Sequence, residues 1–346
     1  MLTDARVTIC LPVYDGESFV AETLDCARRQ TVSDVRILVS VDRSRDGSLA
    51  ICQRAADEDP RVRVVAQPER LGWVGNVNWL LQHIETPYAC LLPHDDLLPP
   101  DYLEVLLAVL RRTEGAVLAF GDLDTFGLAR SAAVGTDLRG PAFDRVLRFL
   151  AENHDAIAWR GVFRTEVARQ AGPLDSDDPA ADVGWLLRLT MLGALVREPS
   201  VRYRKRLHQG SVTATAQAAG NRAALANWRA HCLACRRHVL EGATWTDAQR
   251  RALGLACRIR LLAAPIRTTG DLFDALHVHA ERLVGATDAH GVSAAPGALP
   301  PGVERYLRRR SRALIARYLL RRAVPLARVR RGLRRLDVAW RRTVRT

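Results

Sequence analysis

The segment Tyr88-Ala89-Cys90-Leu91-Leu92-Pro93-His94-Asp95-Asp96 is an apolar run that ends in a proline, a histidine and two adjacent carboxylates. A short apolar run closed by turn residues reads as a buried strand, which places the acids where its carboxyl end meets solvent. In open α/β sheets that end is where ligands bind. Two adjacent anions repel each other, and a divalent cation or a cationic side chain would neutralise them. The same pair can equally cap the following helix, which Pro99, Pro100 and Asp101 announce.

Outward from this run, short apolar stretches at Val7 to Leu11, Val35 to Val41, Val62 to Val65 and Ala116 to Phe120 read as further strands. Ser18 to Gln30, Ser48 to Asp59, Gly75 to Ile84 and Asp101 to Arg112 carry apolar residues at helical spacing. Strands alternating with helices of this length predict an α/β fold, a mostly parallel sheet with helices on both faces. Parallel strands share one carboxyl edge, so Tyr14 and Asp15, Asp42, and Asp95 with Asp96 converge there. No G-x-G-x-x-G follows the first strand and no G-x-x-x-x-G-K-[ST] occurs, which argues against a dinucleotide oxidoreductase and a P-loop NTPase. Without a glycine-rich cradle, phosphates bound at this edge need a metal held by carboxylates.

Leu123 to Thr213 is less regular, with helices expected at Phe143 to Asn153 and Asp182 to Leu192. Val201 to Arg206 alternates apolar and basic residues, the pattern of a half-exposed strand. Ala216 to Val284 reads as wholly helical, with a capping box at Thr246 and Gln249. Gly285 to Gly302, with three prolines and four glycines, reads as a linker. The expected division is 1–215 for the α/β domain, 216–284 for a helical region, 285–302 for the linker and 303–346 for arginine-rich amphipathic helices.

At 346 residues and 48% hydrophobic, the chain can hold one large domain with an appendage or two modest ones. Its formal charge of +13 is uneven: residues 301–346 hold 16 arginines against Glu304 and Asp337, which leaves +14 there and −1 on the other 300 residues. Lys205 is the only lysine. In the tail, Pro325 breaks the helical pattern, and Leu326, Val329, Leu333, Leu336, Trp340 and Val344 then recur at steps of three and four. Such a stripe among arginines suits a helix lying in an anionic membrane interface. A helix docked on its own domain or on a second subunit, or one bound to nucleic acid, has the same pattern.

No run of about 18 uncharged apolar residues occurs, and Met1 to Arg6 lacks the pattern of a signal peptide. A cytoplasmic protein is expected, with the tail touching the inner face of the plasma membrane. Seven scattered cysteines argue against a disulfide framework. Cys232 and Cys235, between His231 and His238, can be read as a zinc site, but a single C-x-x-C in a helical stretch fits small buried residues better.

Taken together, Val7-Thr-Ile-Cys-Leu-Pro-Val-Tyr-Asp-Gly16, Val41-Asp42 with Asp46-Gly47-Ser48, Gly72 with Asn78, and Leu91-Leu-Pro-His-Asp95-Asp96 with Pro100-Asp101-Tyr102-Leu103 resemble family 2 glycosyltransferases of the GT-A fold. The resemblance covers residues 6 to 215. It implies an inverting transfer of a sugar from a nucleotide diphosphate sugar to an acceptor hydroxyl, in cell-envelope or polysaccharide synthesis, with Mn²⁺ or Mg²⁺ as cofactor. It implies that Pro12, Tyr14, Asp15, Asp42 and Asn78 line the donor pocket and that Asp42 accepts a hydrogen bond from the base. Asp95 would bridge the metal, with Asp96 beside it and His208 approaching the metal or the diphosphate. The family's later Glu-Asp pair falls on Ala181-Asp182, which makes Asp182 the general base.

That division of labour has a physical basis. A departing nucleotide diphosphate needs its growing charge neutralised, and the acceptor hydroxyl needs a carboxylate to take its proton from the opposite face of the sugar. Asp182 can alternatively cap the helix it precedes, and Arg202, Arg204 and Arg206 either steer phosphates or form a solvated strand face. Two positions depart from the family pattern: the first Asp of its D-x-D is Pro93, and the basic residue usual before the Asn of the third motif is Val77. Two rivals follow, a nucleotide-sugar-binding protein on this scaffold without turnover and a nucleic-acid-binding protein driven by the arginine tail. The near-neutral body and the few aromatics beside the arginines count against nucleic acid. The acceptor expected is a glycan or a lipid-linked glycan.

Overall fold

The computed structural model describes residues 7–152, 156–211, 221–241, 244–262, 302, 303, 305–307 and 309. They fall into two compact units, one built from 7–145 and 156–211, the other from 146–152 and the described residues from 221 onward.

The first unit opens with the predicted alternation: β1 (Val7–Val13), α1 (Val20–Arg28), β2 (Val35–Val41), α2 (Ser48–Glu58), β3 (Val62–Ala66), α3 (Gly72–Gln82), β4 (Tyr88–Leu91), α4 (Tyr102–Arg112) and β5 (Ala116–Gly127). There follow β6 (Ser131–Ala133), α5 (Ala142–Ala151), a 3₁₀ turn at Ala158–Arg160, β7 (Val162–Arg164), α6 (Thr165–Ala171), α7 (Ala181–Leu192) and β8 (Ala194–Leu207). One sheet runs β3-β2-β1-β4-β7-β5-β6, with β8 paired to β5. β1 to β4 are mutually parallel, β8 is parallel to β5, and β7 is antiparallel to both of its neighbours. The sheet is therefore mixed but mostly parallel.

Alternation along β1 explains the layering. Val7, Ile9, Leu11 and Val13 enter a core shared with Val20 and Leu24 of α1 and with Leu103, Leu106, Leu107 and Leu110 of α4, while α3 covers the opposite face of β1 and β2. Each of these side chains is at most 1% exposed, so burial contributes roughly 1.5–3 kcal/mol apiece.

The structure lengthens two strands. The run predicted at Ala116 to Phe120 continues to Gly127, and Val201 to Arg206 belongs to a strand that begins at Ala194. The extra residues include Asp122 and Asp124, poor strand formers by themselves. Asp122 accepts two hydrogen bonds from Arg197 across the ladder, at 2.6 and 2.7 Å, and pairs with Arg202 at 3.2 Å. Asp124 accepts from Arg202 at 2.9 Å. Two of the alternating arginines of β8 are thus cross-strand partners, Arg202 serving Asp122 and Asp124 and Arg204 lying over Phe126, while Arg206 pairs with Glu22 of α1. Gly121 stands at the irregularity of this ladder, where any β-carbon would come 2.5 Å from the Val201 carbonyl oxygen.

Asp59, just past α2, accepts hydrogen bonds from Arg61 at 2.8–3.0 Å and from Arg28 at 3.2 Å. Arg61 above all holds its carboxyl near 2, below the ordinary 3.8. A carboxylate depressed on folding lends stability that is complete above its unfolded value and is lost as pH falls through the folded one. Asp59→Asn is therefore expected to lower the melting temperature at pH 7 by a few degrees, a loss of about 1 kcal/mol after solvent screening. As pH falls toward 2 the difference between variant and parent should shrink, and thermal unfolding followed by circular dichroism at both pH values measures it.

The second unit contains α8 (Asn221–Glu241) and α9 (Asp247–Leu262). The capping box is present: the Gln249 N–H donates to Thr246 Oγ1 at 3.3 Å and the Thr246 N–H to Gln249 Oε1 at 3.0 Å. His231 lies 3.4 Å from Cys235 Sγ, but Arg260 approaches the same ring at 3.0 Å, and a guanidinium there opposes a cation. All seven cysteines are free and buried. At the start of the tail, Tyr306 donates to Glu152 at 3.0 Å and Leu307 is buried. The Pro325 break, the stripe from Leu326 to Val344 and nearly all of the predicted linker lie outside the described residues. Among the described residues no helix is long and apolar enough to cross a membrane.

Candidate active site

The carboxyl ends of β1, β2 and β4 meet at one edge, as parallel pairing requires. The loop after β1 is tied to the loop after β2: Asp15 accepts the Arg45 N–H at 2.9 Å, the Gly16 N–H donates to Ser48 at 2.8 Å, and the Glu17 N–H donates to Asp46 at 2.9 Å. Asp15 and Arg43 hold left-handed backbone angles, φ 43° and 50°, a conformation that costs most residues energy and that short acids tolerate better. Below this loop the His94 ring fills the space a side chain at Gly16 would need, and burial keeps the imidazole below its ordinary 6.5.

Asp42 is 1% exposed. It accepts the Leu71 N–H at 2.6 Å and pairs with Arg70 Nε at 2.9 Å, while the Arg70 guanidinium lies over the Tyr14 ring. Tyr14 and Asp42, both expected in the donor pocket, are thus brought together with Arg70 joining them. A base that stacks on Tyr14 must displace this guanidinium.

The two acids after β4 diverge. Asp95 remains partly exposed, and its Oδ2 lies 3.1 Å from Nε2 of His208, whose ring rests on Phe19 at 4.6 Å between centroids. Asp96 turns inward: it accepts the Tyr203 hydroxyl at 2.9 Å and the Arg206 N–H at 2.8 Å, and Arg160 Nε stands 3.6 Å away. Burial pushes the Asp96 carboxyl up to about 6, partly opposed by Arg160. Of the expected metal set, Asp95 and His208 adjoin at the edge, whereas both Asp96 oxygens are taken up in the interior by the Tyr203 hydroxyl and the Arg206 N–H. Among the described residues there is no group of three or more His, Cys, Asp or Glu able to hold a metal. A carboxylate oxygen and an imidazole nitrogen would suit Mn²⁺ better than Mg²⁺, which prefers oxygen donors.

Asp182 lies in the first turn of α7, whose N-cap is Ala180, so it is not the cap; its Oδ1 accepts the Val183 N–H at 2.9 Å. Its charge acts on Arg160 and Lys205, which also feel Asp96. Asn78 uses both ends of its amide on the Leu174 backbone, at 2.7 and 3.0 Å, and so pins the segment before α7 to α3. Pro12, one residue before the end of β1, lies beside Ser40, and Val77 is 3% exposed, turned into the core.

Tyr14, Asp15, Asp42, Asp95 and His208 gather at the sheet edge, Asn78 faces Leu174, Asp96 faces the interior, and Asp182 stays in the first turn of α7. Arg70, His94, Arg160, Tyr203 and Lys205 were not anticipated. Of these, His94 carried a signal in the sequence as the histidine before the paired acids, and Lys205 as the single lysine.

A mixed, mostly parallel sheet with acids at one carboxyl edge and a later helix bearing a further carboxylate defines the GT-A class. Residues 8–171 match the model described as Glycosyl transferase family 2, and this part of the chain belongs to that family. Glycosyltransferase GlyA of Streptococcus pneumoniae is 32% identical over 106 residues, 31% of this chain and 15% of that protein. The chondroitin synthase of Pasteurella multocida is 30% identical over 101 residues, 29% of this chain and 10% of that protein. The matched segments thus span a small part of those relatives. Among solved structures, residues 1–349 of S. aureus TarS align with a TM-score of 0.63 over 92% of both chains at 12% identity. The mannosyltransferase PcManGT of Pyrobaculum calidifontis, solved with GDP-Man and Mn²⁺, gives 0.53 over 99% of this chain and 88% of that one at 15% identity. At such identities the structures speak for the fold.

Proposed function

We propose that this chain is an inverting glycosyltransferase that moves a sugar from a nucleoside diphosphate sugar to an acceptor hydroxyl of a glycan or a lipid-linked glycan. The observation that carries the reading is the Asp95–His208 pair, 3.1 Å apart, set at the same sheet edge as Tyr14 and Asp42, with Asp182 in electrostatic reach through Arg160 and Lys205. The solved neighbours add support for the donor class: TarS has been crystallised with UDP-GlcNAc and PcManGT with GDP-Man and Mn²⁺. Among the relatives, synthases of chondroitin and hyaluronan favour a polysaccharide product.

In this reading Tyr14 and Asp42 hold the base once Arg70 moves aside, and Asp95 and His208 hold a divalent ion. That ion, when bound, supplies Lewis acidity to the leaving diphosphate. Asp182 takes the proton of the acceptor hydroxyl as its oxygen bonds to the anomeric carbon. The bond from that carbon to the diphosphate breaks on the other side, which inverts the centre. Asp96 with Tyr203 and Arg206 fixes the turn that presents Asp95. The arginine-rich tail, by its charge and stripe, would hold the enzyme at an anionic membrane surface where a lipid-linked acceptor resides.

Thermal-shift titration with UDP, GDP and dTDP and their sugars, with and without Mn²⁺, tests the donor assignment. One nucleoside diphosphate should raise the melting temperature in a Mn²⁺-dependent way. No shift with any of them would overturn the assignment.

A further inference from the structure

The turn after β4 is held at three successive carbonyls. The Thr23 hydroxyl on α1 donates to the His94 oxygen at 2.7 Å and lies 3.0 Å from the Asp96 oxygen. The oxygen between them, that of Asp95, accepts from Arg206 Nε at 3.0 Å. A backbone tied at each of these positions has little freedom to swing, so the Asp95 side chain leaves it in a set direction.

Arg206 also reaches the second residue of the candidate metal pair. Its guanidinium pairs with Glu22 of α1 and lies over two rings, Phe19 at 5.0 Å and Phe126 at 4.5 Å. Phe19, the N-cap residue of α1, carries the His208 ring at 4.6 Å between centroids. One side chain thus touches the Asp95 backbone directly and supports His208 through Phe19, and Oδ2 and Nε2 of those two residues stand 3.1 Å apart. Glu22 offsets its charge, which suits an anchor better than a phosphate ligand. A planar guanidinium can donate within its plane to Asp95 and Glu22 while lying over aromatic rings, and an ammonium has no such plane. The Arg206 N–H has a separate duty, the bond to Asp96 at 2.8 Å, and a backbone bond of this kind survives a change of side chain.

We propose that Arg206 is a positioning residue whose guanidinium holds Asp95 and His208 side by side for a divalent ion, without itself touching the ion or the donor. The inference deepens the donor-site reading above and rests on it.

The full-length protein is titrated with Mn²⁺ in the presence of UDP or GDP, whichever the wild type binds, and free Mn²⁺ is read by electron paramagnetic resonance. Affinity for uridine or guanosine is measured beside it by calorimetry, without metal. Arg206→Lys should weaken Mn²⁺ about tenfold, the lower end of what a metal site loses with a partner that orients its ligands, and leave nucleoside affinity unchanged. Phe19→Leu, which spares the Asp95 carbonyl, should weaken Mn²⁺ by a smaller factor, and Phe19→Tyr should retain it. Asp59→Asn, less stable but altered next to the amino end of β3 at the opposite edge of the sheet, should bind Mn²⁺ as the wild type does. Should Arg206→Lys fail to fold, Phe19→Leu against Phe19→Tyr decides alone. Mn²⁺ affinity within about twofold of wild type in Arg206→Lys and Phe19→Leu would overturn the proposal. A loss shared by Asp59→Asn, or matched by a fall in nucleoside affinity, would overturn it too, since the effect would then be general. Nucleoside diphosphate that binds the wild type equally well without Mn²⁺ removes this proposal and spares the donor site, and if none binds, both readings fall.

Discussion

Asp182→Asn is expected to lower the rate of sugar transfer by about 10³-fold, the middle of the range for removal of a general base, with donor affinity within about twofold of wild type. The split follows from where Asp182 sits. Its backbone is fixed by α7, and an amide is nearly isosteric with the carboxylate, so the helix and the pocket should survive. On the proposed role, the amide cannot accept a proton from the attacking hydroxyl. Release of nucleoside diphosphate in the presence of acceptor, beside calorimetric titration of the donor, measures both halves. A variant that turns over at the wild-type rate would move the base elsewhere, and one that loses donor affinity in step with rate would make Asp182 a binding residue.

Asp95→Ala acts at the opposite step. Loss of its carboxylate leaves His208 as the only candidate metal donor at this edge among the described residues. Nucleoside diphosphate affinity in Mn²⁺ is expected to fall about 100-fold or more, and to become insensitive to chelation of the ion, whereas the wild type should lose the same affinity on chelation. The fold should persist, because Asp95 is partly exposed and the buried partner at this turn is Asp96. Titration with and without chelator decides the matter; unchanged affinity and unchanged metal dependence in Asp95→Ala would remove the metal from the donor site.

The two acids also show how far the sequence can be read. An apolar run ending in Asp95 and Asp96 identifies a strand and its functional end, since local pattern and parallel topology agree there. Which of the pair faces the ligand is not local information. It depends on Tyr203 and Arg206, more than a hundred residues away, which capture Asp96. Asn78 is a similar case: its place on α3 follows from helical spacing, but its partner is the Leu174 backbone. Arg70 could not be foreseen, because its pairing with Asp42 and Tyr14 is made by the loop before α3 and by no periodic element. The extension of β5 through Asp122 and Asp124 escaped for the opposite reason: acidic residues argue against a strand until the arginines of β8 are known to lie beside them.

The placement of β8 also bears on how this molecule comes into being. Asp96 and its acceptor contacts from Tyr203 and Arg206 are separated by 107 and 110 positions, so a growing polypeptide exposes the β4 turn long before its partners are synthesised. A carboxylate buried without those donors would cost several kcal/mol. The nascent N-terminal half therefore gains by keeping this corner hydrated and open until β8 emerges. Non-local pairing of this kind slows folding, and the turn that carries Asp95 and Asp96 cannot make its buried contacts before β8 is in place.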